Sequence, residues 1–320
     1  LLSLDGKVLL TPHMRLLTFT LLVALLAPLG CLSAQSSEHP YRTWTSFTGS
    51  SIEAKLVKGA SDNAVTLKKK DGTTLFVDLR QLSAADQRYL QELAALEGRP
   101  ERVLFIGNSY TAGVRGMITQ LVAASPYANC NFEFITPGGK TLEVHLENAG
   151  TMEKIRTGQW DVVVLQDQSQ TPAIFPDKFI QAARSIDRIV DDSGAQTVFY
   201  ETWGRRDGDK QNAHLFPSYE KMQTALSDSY AKAARKCDAR VAPVGRAWAL
   251  VRKEHPELGL KLYQQDGSHP AGPGAYLAAC VFYATLFDAD PAAVDFDGGL
   301  PEDQVRAIRQ AVATAIESKS

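Results

Sequence analysis

From residue 103 onward, short runs of purely apolar residues alternate with longer stretches in which apolar residues recur at helical spacing. Val103-Leu104-Phe105-Ile106 and Val162-Val163-Val164-Leu165 carry no polar residue at all. A strand with one face in water would alternate polar and apolar positions, so runs like these belong to strands buried on both faces. Buried strands separated by amphipathic helices are the mark of a parallel sheet covered on each side by helices. The pattern predicts strands over 103–106, 132–135, 162–165, 197–200 and 241–244. It predicts helices over 113–124, 141–148, 176–191, 218–236, 275–287 and near 302–316. Pro301-Glu302-Asp303 is a strong start for the last helix, since proline presets the first turn and acids favour its positive end.

In open parallel sheets ligands bind beyond the carboxyl ends of the strands, so the residues following each strand are the candidates for chemistry. After the first comes Gly107-Asn108-Ser109-Tyr110-Thr111, a strand-to-helix turn that lifts Ser109 to a helix N-terminus. Free backbone N–H groups and the helix dipole favour a developing anion there. The same serine would serve equally well as a simple helix cap. Far downstream stands Asp266-Gly267-Ser268-His269-Pro270. An Asp and a His three apart on one loop can set the carboxylate against one imidazole nitrogen while the other faces a nucleophile. Alone this spacing is weak; combined with a serine after the first strand it is much stronger.

Together these segments resemble the SGNH (GDSL-like) hydrolase family over about Arg102 to Asp290. The first block is Gly107-Asn108-Ser109, with Asn108 where many members have Asp, and the last is Asp266-x-x-His269, followed by Pro270 and Tyr276-Leu277-Ala278 as in many carbohydrate-directed members. The resemblance implies a three-layer α/β/α sandwich with a flavodoxin-like parallel sheet and no cofactor or metal. It implies Ser109 as nucleophile, His269 as general base and then acid, and Asp266 as the group that orients His269. The second block, Pro137-Gly138-Gly139-Lys140-Thr141-Leu142, would supply an oxyanion donor beside the Ser109 N–H: the N–H of Gly139, with Gly138 as the alternative. A glycine-rich turn before a helix explains it as well. The third block departs from the family's G-x-N-D and reads Leu165-Gln166-Asp167-Gln168-Ser169-Gln170. Either Gln166 or Gln170 would provide the amide donor, and the spacing does not choose between them. Trp203 and Arg205, after the fourth strand, are candidates to bind a sugar or an acidic acyl group, or else a packed Trp under a solvated Arg. His145 is a candidate to face the pocket or to be solvated; His214 and His255 read as surface residues.

Residues 42–95 have a different texture. Trp44, the alternating run 52–57, then 64–67 and 74–77 read as short strands with Asp62-Asn63 and Asp71-Gly72 as turns between them. Ser83 caps a helix running to about Leu96. The pattern R-T-W-T, V-T-L-K-x-x-D-G and V-x-L-x-x-L-S-x-x-D-Q is similar to the SH3-like homology domain first recognised in a yeast endocytic adaptor and also found on exported bacterial proteins. That implies a small β-barrel acting as a binding or spacer module, with a protein or cell-wall ligand. Gly98-Arg99-Pro100-Glu101 marks the expected boundary, leaving 100–320 for the hydrolase domain.

Ahead of both modules, Met14-Arg15 and the apolar run 16–27, followed by Leu32-Ser33-Ala34, have the anatomy of a secretory signal over 14–34, with 1–13 as upstream over-call. The run is shorter than the roughly 20 residues a membrane-spanning helix needs, so no span is expected. Cys31 offers a less favoured lipoprotein alternative, since Pro28 stands where an aliphatic residue is usual. The expected product is exported, periplasmic or extracellular. Lys plus Arg total 34 against 36 for Asp plus Glu, which gives no basic excess for nucleic acid. The 4 cysteines form no C-x-x-C pair, and Cys130, Cys237 and Cys280 read as small apolar residues. The expected activity is an exported serine esterase acting through an acyl-enzyme on a small-molecule or carbohydrate ester, an O-acetylated sugar above all. The rival is a non-catalytic carbohydrate- or peptide-binding protein on the same fold.

Overall fold

The computed structural model describes residues 39–61 and 64–318, so the export segment expected at 14–34, with Cys31, lies outside the described residues. The chain divides into two compact units, the first ending at Asp86 and the second running from Gln87.

The first unit is an antiparallel meander of β1 (Arg42–Thr45), β2 (Ser51–Ser61), β3 (Ala64–Lys69) and β4 (Thr74–Asp78), paired in chain order. Trp44, Ala54, Leu56, Val65 and Leu67 point inward and are buried, which is the alternation that the strands' sequence carries. Register shifts in β2 after Leu56 and Lys58 bend that long strand. Among the described residues no ladder joins β1 to β4; an isolated bridge between Ser46 and Leu82 stands at that seam instead. Ser83 Oγ accepts from the Asp86 N–H at 3.2 Å, and Asp86 in turn accepts from the Thr45 N–H and Arg42, each at 2.8 Å. These bonds set the start of α1 (Ala84–Leu96) against β1. The division between units falls inside α1, whereas composition points to 98–101.

The second unit is built on five parallel strands: β5 (Arg102–Ile106), β6 (Asn131–Ile135), β7 (Val162–Leu165), β8 (Gln196–Tyr200) and β9 (Arg240–Ala242). Their order is β6-β5-β7-β8-β9, the flavodoxin-like arrangement. Successive side chains of β5 go to opposite faces: Val103 and Phe105 join one core, Leu104 and Ile106 the other. The first core is covered by α2 (Ser109–Ala123), α8 (Val244–Glu254), α9 (Pro256–Lys261), α10 (Gly272–Phe287) and α11 (Glu302–Glu317). On the other face lie α3 (Leu142–Glu147), α4 (Ala149–Thr157), α6 (Pro176–Asp192) and α7 (Tyr219–Cys237), with the short α5 (Thr171–Ile174) leading into α6. Helix α10 is apolar on nearly every side and buried accordingly, in contact with α2, α8 and α11.

Several expected boundaries differ, two of them for evident reasons. Helix α2 starts at Ser109 rather than 113, because the Asn108 side chain accepts from the Tyr110 N–H at 3.2 Å and caps it there. Its internal Gly113 lets the helix press against Pro270, whose Cγ would stand 2.9 Å from an added Cβ. The run expected as strand 241–244 stops at Ala242, since Pro243 cannot extend a ladder and Val244 opens α8, a helix the periodicity did not signal. Among the described residues no helix is long and apolar enough to cross a membrane.

Candidate active site

The carboxyl edge of the sheet carries every candidate loop. Ser109 follows β5, the strand beside which the strand order reverses, and becomes the first residue of α2. Its position depends on a tightly packed turn. A Cβ on Gly107 would collide with the Thr111 hydroxyl and the Gln166 carboxamide, so only glycine fits there. The Asn108 N–H donates to Gln166 Oε1 at 2.9 Å and the Thr111 hydroxyl donates to the same oxygen at 2.8 Å. His145 reaches the same turn from α3, its Nε2–H donating to the Gly107 carbonyl at 2.8 Å.

Ser109, His269 and Asp266 come together across 160 residues of chain: Ser109 Oγ lies 2.9 Å from His269 Nε2. His269 Nδ1 lies 2.5 Å from Asp266 Oδ2. The other oxygen of Asp266 accepts the backbone N–H groups of Ser268 and His269 at 2.9 and 3.0 Å. Burial pushes the Asp266 carboxyl up, but its bonds to the His269 imidazole and to these two N–H groups outweigh that and hold it below the usual carboxylate range. A charged Asp266 accepts a hydrogen bond from the His269 Nδ1–H, which leaves Nε2 free to accept the serine proton.

The glycine turn stands close by. The Asn108 side-chain amide donates to the Lys140 carbonyl at 3.0 Å, tying Pro137–Lys140 to the serine turn. Gly139 has φ 69°, in the left-handed region, while a side chain at Gly138 would meet open space, so the requirement for glycine rests on Gly139. Among the described residues neither the Ser109 nor the Gly139 N–H is paired with a protein acceptor. Both lie on turns that the Asn108–Lys140 bond ties together, and unpaired N–H donors are the kind of group a developing oxyanion needs.

The glutamines sit otherwise than the sequence led us to expect. Gln166 is fully buried; its carbonyl accepts from Asn108 and Thr111, and its amide donates to the Asp167 carbonyl. Its work is to support the serine turn from below. Gln170 gives its amide to Asp209 at 2.6 Å and to Gln211 at 3.2 Å. The amide with the longest bonds is that of Gln168, at 3.3 and 3.5 Å to Gln170 and Ser169, a residue that sequence reasoning passed over. Its place two residues beyond the β7 turn residue Gln166 was the available signal.

The substrate-binding candidates need correction. Trp203 has no exposed surface and is stacked between Tyr110 and Trp248, at centroid distances of 4.7 and 4.0 Å, so neither face is open to a sugar. Its indole N–H donates to the Ser268 carbonyl at 2.9 Å. Arg205 is paired with buried Asp209 at 3.0 Å, and neighbouring Arg206 with Asp207, also at 3.0 Å. Burial drives the Asp209 carboxyl up, but Gln170, Asn212 and Arg205 together bring it below its ordinary value. His145 is 2 % exposed, and burial lowers its pKa against the pull of the Gly107 carbonyl, so it acts as a neutral strut instead of facing a pocket. His214 and His255 are exposed.

Asp167 is a titratable group that sequence reasoning passed over. Its Oδ1 accepts the N–H groups of Leu142 and Gln168 at 3.1 and 2.6 Å, joining the glycine turn to the β7 turn, while Oδ2 is buried without a partner. Burial pushes its carboxyl up to about 7, against the pull of those N–H groups. Among the described residues no group of three or more His, Cys, Asp or Glu is placed to hold a metal ion.

Residues 33–97 match the family SLA1 homology domain 1, SHD1, in agreement with the resemblance drawn from the first strands. No curated protein matches the chain. Among solved structures, a DUF4886 family protein from Bacteroides uniformis is 20 % identical with a TM-score of 0.59, covering 68 % of this chain and 95 % of its own. A protein from Slackia heliotrinireducens assigned to the SGNH hydrolases is 30 % identical with a TM-score of 0.50, covering 57 % of this chain and 97 % of its own. With that identity over nearly the whole of the relative, and with the serine turn and the Asp-x-x-His loop meeting at the carboxyl edge of the sheet, the chain belongs to the SGNH hydrolase family.

Proposed function

We propose that this hydrolase is an exported serine esterase that removes an acyl group, most simply an O-acetyl group on a carbohydrate, through an acyl-enzyme. The observation that carries the reading is the unbroken hydrogen-bond chain from Ser109 through His269 to Asp266. The Ser109 hydroxyl passes its proton to His269 Nε2 as the oxygen adds to the ester carbonyl. The tetrahedral oxyanion is met by the Ser109 and Gly139 N–H groups, with the loosely bonded Gln168 carboxamide as third donor. His269 then protonates the departing alcohol oxygen. A water gives its proton to the same nitrogen, adds to the acyl carbonyl, and the serine leaves with the proton returned. Asp266 stays ionised throughout and stabilises the imidazolium. Removing such a nucleophile–base pair typically costs about 10⁴- to 10⁶-fold in turnover.

A neutral acyl group is favoured over an acidic one because Arg205 and Arg206 already have carboxylate partners. The segment 14–34 supports export, and the SHD1 unit would tether the enzyme to a protein or to cell wall. A fluorophosphonate probe should label Ser109, and acetylated sugars and short p-nitrophenyl esters should be hydrolysed in the same fraction. Absence of both labelling and turnover in folded protein leaves the binding-protein reading in its place.

A further inference from the structure

The Ser109–His269 contact joins two loops that are remote in sequence, so something must fix their separation. Each catalytic residue has a neighbour in the chain, and those neighbours are bonded to each other: Tyr110 Oη lies 2.6 Å from Ser268 Oγ. Tyr110 is 2 % exposed, and its ring is held face to face on Trp203, which is itself stacked on Trp248. The edge of the Tyr110–His269 ring pair is set at 66° with centroids 5.4 Å apart, so the tyrosine also limits where the imidazole can swing. Ser268 is secured on its remaining sides: its N–H goes to Asp266 at 2.9 Å and its carbonyl accepts from Trp203 at 2.9 Å. The adjoining Gly267, at φ 69°, is fixed by the Arg206 N–H at 2.8 Å to its carbonyl. Ser169, from the β7 turn, borders the same tyrosine hydroxyl.

We propose that the Tyr110–Ser268 hydrogen bond sets the nucleophile-to-base spacing, making Tyr110 and Ser268 positioning residues of the reaction. This rests on the esterase reading above. Neither side chain takes a proton or touches the ester. They act by holding Ser109 and His269 in register, and small errors in that register are costly because proton transfer needs hydrogen-bond contact.

The test compares Tyr110→Phe, Ser268→Ala and the double variant with wild type. The readouts are p-nitrophenyl acetate turnover, the second-order rate of fluorophosphonate labelling, and thermal unfolding. Each single variant should lose about tenfold in kcat and in labelling rate with KM within about twofold, the signature of lost alignment without lost binding. The double variant should fall no more than about twofold below the worse single one, because both changes cut the same bond. Single variants that match wild type, or losses that multiply in the double, overturn the proposal. Should either single variant unfold, Ser268→Thr and Ser268→Val supply a near-isosteric pair with and without the hydroxyl. The threonine should keep most of the rate and the valine should not; equal rates overturn the proposal. Ser109→Ala distinguishes the two levels: if it still turns over, the esterase reading falls and the brace with it. If it is silent while the brace variants are fully active, only the brace falls.

Discussion

Two walls of the site are built on different principles. The serine and histidine wall, from Gly107–Thr111 and Asp266–Pro270, is organised by short-range geometry. A helix N-terminus presents Ser109, and one loop holds Asp266 and His269 three residues apart, so each local arrangement is nearly complete within its own segment. The glutamine wall, Gln166–Gln170, is organised from a distance. Besides bonds within the turn itself, Gln166 and Gln170 are committed to Asn108, Thr111, Asp209 and Gln211, none of them neighbours in the chain. The lesson is that residue type shows chemistry only where the partners are local. A glutamine after a strand looks like a donor in sequence and turns out to be a buttress in structure.

The largest effect should come from Ser109→Ala. It should abolish fluorophosphonate labelling and lower turnover by about 10⁴-fold or more. His269→Ala should come close to it, and Asp266→Asn should cost less, because the Asp266–His269 loop is also held through Ser268 and Gly267. On the other wall, Gln166→Ala should lower kcat by about 10²-fold, because the serine turn loses the acceptor that fixes it. It should also lower Tm, since the buried Asn108 N–H and the Thr111 hydroxyl would lose their acceptor, at about 1–3 kcal/mol for each unsatisfied group. Gln170→Ala should lower Tm less, because Asp209 keeps its bonds to Arg205, Gln211 and Asn212, and should act mainly on KM through the Asp209 loop. Equal Tm losses in the two glutamine variants would show that the contrast between buttress and loop anchor is wrong.

A smaller effect is expected from Asp167, which joins the glycine turn to the glutamine wall. Its carboxyl is raised by burial to about 7, against about 3.9 for a free Asp, so the folded chain holds a proton there that the unfolded chain releases first. The folded form is therefore favoured by this group at low pH, and that advantage is lost as pH rises through the folded pKa. Asp167→Asn cannot ionise and can keep an oxygen facing the Leu142 and Gln168 N–H groups. Its Tm relative to wild type should improve steadily between pH 4 and pH 7 and then level off. A gap that stays constant over that range would mean Asp167 is ionised throughout. The smallest effect should come from removing the SHD1 unit. Residues 100–320, and also a chain starting at residue 87, should hydrolyse short p-nitrophenyl esters with kcat/KM within about threefold of the full chain. If the shorter piece alone is insoluble, the second half of α1 is part of the α/β core.

Much of the fold is legible in the chain itself, and the reasons are physical. Uninterrupted apolar runs such as 162–165 exclude any strand with a wet face, so the parallel, doubly covered sheet follows from composition along the chain. Asp266 and His269 lie within one short loop, and Ser109 lies directly after a strand; these placements depend on chain neighbours and little else. The Trp203 indole, the His145 imidazole and the glutamine amides depend instead on what packs against them from remote segments. Trp203 could have faced a sugar; Tyr110 and Trp248 closing over both its faces decided otherwise. Gln166 could have reached an oxyanion; the close approach of Gly107 and Thr111 turned its oxygen inward. Sequence alone determined the sheet, the order of the loops along its carboxyl edge and the identity of the Ser–His–Asp set. Tertiary structure decided which polar side chains remain free to meet a substrate, because a side chain's hydrogen bonds are allotted only when distant segments come into contact.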